Sequence, residues 1–160
     1  VYKRQASYGG DPGRVFVAGH SAGGYLTSMI GLDKRWLEPY GIDPDTAFVA
    51  LIPYSGQVVT HFERRRELGL PDTQPLVDDM APLSYVRPDC RPMLILSGDR
   101  EREMLGRYEE NAYFWRMMRV AGHPDVRICE FDGFDHGNMP QAGHFVAVRY
   151  IREMERRMDR

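Results

Sequence analysis

A serine hydroxyl is a poor nucleophile at neutral pH and attacks a carbonyl only when a neighbouring base takes its proton. One serine stands where a chain would present such a hydroxyl. Gly19-His20-Ser21-Ala22-Gly23 has the pattern GxSxG, and it falls between a strand-like run and a helix-like run, the context of a nucleophile elbow. With 16 glycines in 160 residues, a given serine has about a one-in-a-hundred chance of glycine at both flanking positions, and the strand and helix requirement cuts that further. Both glycines are expected to be needed, because the serine backbone is strained and strand and helix pass too close for a Cβ at either site. Ser21 Oγ would then project at the carboxyl edge of a sheet, at the amino end of a helix whose dipole favours a developing oxyanion.

Five histidines are available to take the proton. His136, in Gly133-Phe134-Asp135-His136-Gly137-Asn138-Met139, lies in the loop between the last strand and the last helix, and is the expected base. His144 falls inside the final helix and His123 in a turn, so both read as surface or capping residues. His20, inside the elbow, is expected to point away from Ser21 and pack near the pocket. Gln57 and the His61–Phe62 pair are weak candidates for lining a substrate pocket, against the plainer reading of a satisfied polar loop. The carboxylate that fixes the imidazole tautomer should lie between serine and histidine in chain order. Two stand there after the third strand, Asp99 and Glu101, and Asp99 could instead cap the helix that follows.

The elements that must position these residues alternate, short β-type runs with longer helical ones, as in βα units around a parallel sheet. Strands are expected at 14–19, 48–54, 93–96 and 126–131. The second is apolar on both faces, as a central parallel strand requires. Helices are expected at 22–32, 105–120 and 142–158 from apolar residues recurring by threes and fours, with short ones near 61–68 and 78–85.

A formal charge of -2, 42% hydrophobic residues and 28% charged residues describe an ordinary globular domain with one core and no broad attraction for nucleic acid or anionic lipid, and the alternation makes it an α/β domain. The runs Arg64-Arg65-Arg66 and Arg156-Arg157 are interleaved with glutamates and read as solvated helix faces. Cys90 and Cys129 match neither a metal knuckle nor a CxxC pair, and no metal or organic cofactor is called for. No apolar run approaches the roughly 18 residues of a membrane span. The first residue is Val, and Val1-Tyr2-Lys3-Arg4-Gln5 resembles a translated transposon end used in sequencing libraries. Residues 1–5 are therefore set aside as adapter-derived and 6–160 read as a partial domain. The compartment and oligomeric state stay open, with a slight preference for the cytoplasm.

The stretches GDPGRVFVAGHSAGG, ILSGDREREMLGRYEENAYF and GFDHGNM resemble the acetyl-esterase/lipase and formamidase-like branch of the α/β-hydrolase superfamily, from about residue 8 to the end. The resemblance implies a mostly parallel sheet of about eight strands, of which this chain would hold the last four. It implies a serine carboxylesterase using a Ser–acid–His triad on a small-molecule ester, with an arylformamidase-like amidohydrolase as the alternative and a non-catalytic binding module as a remote one. The usual spacing from strand to acid in related hydrolases selects Glu101 over Asp99. The HGG-type oxyanion motif of an earlier loop has no counterpart here, which leaves the backbone N–H of Ala22 as the assignable donor. Residues 15–18 would then form an uncovered sheet edge, and the chain on its own is expected to aggregate.

Overall fold

The computed structural model describes residues 4–160, so Val1–Lys3 of the expected adapter segment lie outside the described residues. Gln5–Tyr8 form a 3-10 turn. Four strands follow, β1 (Phe16–His20), β2 (Ala50–Tyr54), β3 (Met93–Gly98) and β4 (Val126–Phe131). They pair in the order β1-β2-β3-β4, every pair parallel. Around them lie α1 (Ala22–Leu32), α2 (Pro44–Ala47), α3 (Phe62–Glu67), α4 (Arg107–Val120) and α5 (Met139–Met158).

Alternation along the strands divides the apolar residues into two cores. On one face Leu51, Met93 and Ile95 pack with Leu32 of α1 and with Phe114 and Met118 of α4. On the other, Ile52, Leu94 and Leu96 pack with Ala147, Tyr150 and Met154 of α5. Helices that connect neighbouring parallel strands in one direction fall on one face, which leaves the last helix to cover the other. All five residues of β2 are buried, as expected of a strand flanked on both edges and covered on both faces. β1 forms one edge of the sheet.

Several bounds differ from those expected: β1 and β2 each begin two residues later, at Phe16 and Ala50, and near 78–85 the chain forms a 3-10 turn at Pro82–Tyr85. β3 runs on through Gly98. α4 begins at Arg107, because residues 99–106 are occupied by a turn. α5 begins at Met139, since Pro140 fits a first helical turn, where its missing N–H is not needed. Cys90 and Cys129 are both free thiols, and burial pushes the Cys90 thiol up to about 12.

Candidate active site

The parallel sheet aligns the carboxyl ends of its strands along one edge, and the loops leaving that edge carry Ser21, Glu103 and His136. After β1 the chain reverses at Ser21, with φ 56° and ψ -115°, in the left-handed half of backbone space that residues with a Cβ avoid. Two hydrogen bonds hold this strained residue: its N–H donates to the Tyr54 carbonyl at 2.9 Å, and its carbonyl accepts from Tyr25 N–H at 3.0 Å. Ala22 is the first residue of α1, so its amide lies at the positive end of the helix dipole.

The elbow glycines divide differently from expectation. A Cβ on Gly19 would lie 2.4 Å from the Gly23 carbonyl oxygen, whereas one on Gly23 would meet nothing within 4 Å. The second crowded position is Gly24, where a Cβ would lie 2.7 Å from the Tyr54 carbonyl oxygen and 2.9 Å from Gly56 Cα.

His136 sits in the loop between β4 and α5. Asp135 shapes that loop, its carboxylate accepting the amides of Gly137 and Asn138 at 2.9 Å each. The imidazole Nε2 lies 2.9 Å from Ser21 Oγ, and Nδ1 lies 2.5 Å from Glu103 Oε1. Neither Glu101 nor Asp99, the two carboxylates expected to hold His136, touches the ring.

The path of the chain explains the difference. Asp99 accepts hydrogen bonds from the Glu101 amide at 2.8 Å and the Gly133 amide at 2.6 Å, tying the loop after β3 to the loop after β4. The amides of Arg102 and Glu103 then turn back onto the Asp99 carbonyl. This helical turn leaves Glu101 exposed and returns the next acidic side chain to the sheet edge, where the Glu103 side chain is fully buried. Gly98 makes room, since a Cβ there would lie 3.0 Å from Glu103 Oε2 and 2.8 Å from the Phe134 carbonyl. The readable signal was Asp99 itself, whose type favours capping a turn; a turn at 99 advances the inward position by one helical repeat.

Burial opposes ionisation of Glu103, but hydrogen bonds from His136, Ser55 and the Met104 amide outweigh it and hold the carboxyl down at about 2. Its Oε2 accepts the Ser55 hydroxyl at 2.5 Å, and its Oε1 accepts the Met104 amide at 2.8 Å. A permanently ionised acceptor at Nδ1 keeps the ring proton there and leaves the Nε2 lone pair for the serine hydroxyl.

His20 lies against the base, ring centroids 4.6 Å apart and planes at 39°. Burial first, and then the neighbouring His136, lower its proton affinity. Gln57 and His61 make no contact with Ser21, His136 or Glu103. Gln57 Oε1 accepts the Phe62 amide, and His61 Nδ1 accepts the Glu63 amide and caps α3. His61 also packs on Phe62 and Tyr25, so both residues organise the loop after β2. His123 is buried and accepts the Asp125 amide, while His144 pairs with the Tyr54 hydroxyl. Among the described residues no cluster of three or more His, Cys, Asp or Glu side chains could hold a metal ion, and no helix is long and apolar enough to cross a membrane.

No family model matches the chain. It is 30% identical over 151 residues to the esterase LipQ of Mycobacterium tuberculosis, covering 85% of this chain and 35% of that protein. It is 26% identical over 140 residues to the probable carboxylic ester hydrolase LipM of the same organism, covering 76% of this chain and 32% of that protein. The chain thus spans about a third of the length of these curated relatives. Among solved structures, esterase 2 of Thermogutta terrifontis with propionate bound superposes with a TM-score of 0.71 at 22% identity, covering 96% of this chain and 61% of that one. The same enzyme phosphoramylated by tabun superposes with a TM-score of 0.70. In its parallel sheet flanked by helices the chain has the α/β-hydrolase fold of these solved esterases.

Proposed function

We propose that the chain carries the catalytic triad of a serine carboxylesterase acting on small-molecule esters, with Ser21 as nucleophile, His136 as base and Glu103 as the orienting acid. One observation carries this reading: the continuous path from Ser21 Oγ through both ring nitrogens of His136 to a buried carboxylate. Ser21 Oγ attacks the ester carbonyl carbon while His136 Nε2 takes the hydroxyl proton, and the ring becomes an imidazolium paired with ionised Glu103. The Ala22 amide donates to the oxyanion. As the tetrahedral intermediate collapses, His136 returns the proton to the leaving alcohol, and an acyl-enzyme remains. Water, deprotonated by the same nitrogen, then releases the acid.

An ester rather than a formamide is favoured because the relatives are named esterases and carboxylic ester hydrolases. The test is reaction with a fluorophosphonate probe and hydrolysis of short p-nitrophenyl esters by the intact protein. Covalent labelling of Ser21 with ester turnover is the expected result; a protein that folds and neither labels nor turns over is a binding module.

A further inference from the structure

Among the described residues, two other than glycine have positive φ: Ser21 at 56° and Ser55 at 46°. Strained residues of this kind persist where the surroundings over-determine them, and they gather at sites of function. Ser21 is accounted for by the reaction; Ser55, the first residue after β2, is not. Its surroundings fix it on every side. The Ser55 amide donates to the Leu96 carbonyl at 2.6 Å, and its carbonyl accepts the buried guanidinium of Arg107 at 2.5 Å. Its hydroxyl donates to Glu103 Oε2 at 2.5 Å and lies 3.3 Å from His136 Nδ1.

We infer that Ser55 is a positioning residue for the triad, its hydroxyl committing Glu103 to one orientation and His136 to one tautomer. A hydroxyl has a single proton. With that proton given to Oε2, Ser55 presents only lone pairs towards Nδ1, as Glu103 Oε1 does. Both neighbours of Nδ1 are then acceptors, so the ring proton resides on Nδ1, and Nε2 meets Ser21 with its lone pair. Removing the hydroxyl leaves Oε2 with the longer bond from the Gly98 amide, 3.3 Å, so that the carboxylate is held firmly at Oε1 alone.

This inference rests on the triad assignment above, and its test separates the two. Ser55→Gly is the informative variant, because glycine accepts φ 46° without strain and the fold loses no backbone bond; Ser55→Ala serves as the second. Both are expected to lower kcat on a p-nitrophenyl ester and the rate of fluorophosphonate labelling by about ten- to a hundredfold, the usual worth of a hydrogen bond to a charged group. KM should change by less than about twofold, and the melting temperature of the glycine variant should not fall, since strain is relieved. Adding Ser55→Gly to Glu103→Gln should slow the enzyme by much less than Ser55→Gly slows the parent, because most of the hydroxyl's effect passes through that carboxylate. A purely structural Ser55 would instead give losses that multiply, or turnover that tracks the melting temperature, and either outcome overturns the inference. So would a glycine variant that labels as fast as the parent. A parent that fails to label overturns the triad reading and this inference with it.

Discussion

Gly24 and Gly56 meet backbone to backbone: a Cβ on Gly56 would lie 2.4 Å from the Gly24 carbonyl carbon, and one on Gly24 would lie 2.9 Å from Gly56 Cα. The first turn of α1 and the chain leaving β2 are thereby held at a spacing that no other residue type permits. Gly24→Ala and Gly56→Ala are each expected to destabilise the fold by about 1–3 kcal/mol or more, the range for overpacking a tight site. Gly23→Ala meets nothing and should leave thermal stability level or raise it, by up to about 1 kcal/mol from helix propensity. Thermal melts of the three variants check this, and equal losses at all three positions would contradict it.

Ser21→Ala should abolish fluorophosphonate labelling and lower esterolysis to about one part in a thousand or less, with the melt unchanged or improved as the strained residue loses nothing it needs for folding. Turnover retained above that level would remove Ser21 from the role of nucleophile.

Three carboxylates near the site give a ranking. Glu103→Gln should cost the most turnover, on the order of a thousandfold or more, as loss of the tautomer-fixing charge does elsewhere. Asp99→Asn should act on stability rather than turnover, weakening the tie to Gly133, and Glu101→Gln should be nearly silent in both. Steady-state kinetics and melts on the three variants decide, and a larger kinetic loss at position 99 or 101 would move the acid.

The carboxyl of Glu103, held at about 2 against an ordinary 4.5, links stability to pH. A folded-state pKa below the unfolded one contributes stability that is present above pH 4.5 and is lost as pH falls towards 2. The contribution is on the order of 3 kcal/mol. Denaturant titrations of parent and Glu103→Gln across that window should converge as the pH drops. A stability gap independent of pH would show that the carboxylate is not ionised in the fold.

The ring of His20, tilted against that of His136, is expected to steady it rather than to exchange protons with it. His20→Phe should keep turnover within about threefold, while His20→Ala should lower it by about fivefold, the usual worth of an aromatic contact. A large loss with phenylalanine would point to a proton-transfer role for this imidazole.

What the sequence revealed and what it withheld divide along a physical line. The helix 22–32 and the strand 126–131 occupy the residues their patterns indicate, because periodic burial is a local property that spacing records. The placement of Ser21 and His136 was legible for the same reason: each follows a strand and precedes a helix. Glu103 was not, because the loop after β3 takes its course from Asp99 reaching the amide of Gly133, 34 residues away, and no local pattern records that bond. Ser55 read as a small residue ending a strand, since its meaning lies in a left-handed φ and in partners 48 and 81 residues distant.

The bond between His136 and Ser21 joins residues 115 apart, while that between His136 and Glu103 spans only 33. Contacts between sequence-distant residues form late, because closing long loops costs entropy before it is rewarded. His136 is therefore expected to meet Glu103 as β4 docks on β3, and Ser21 only when the sheet is complete from β1 to β4. Reactivity of Ser21 is thus a clock on a late event of folding: in a refolding experiment, covalent labelling should lag behind the recovery of secondary structure, and its rate should report when β1 joins the rest of the sheet.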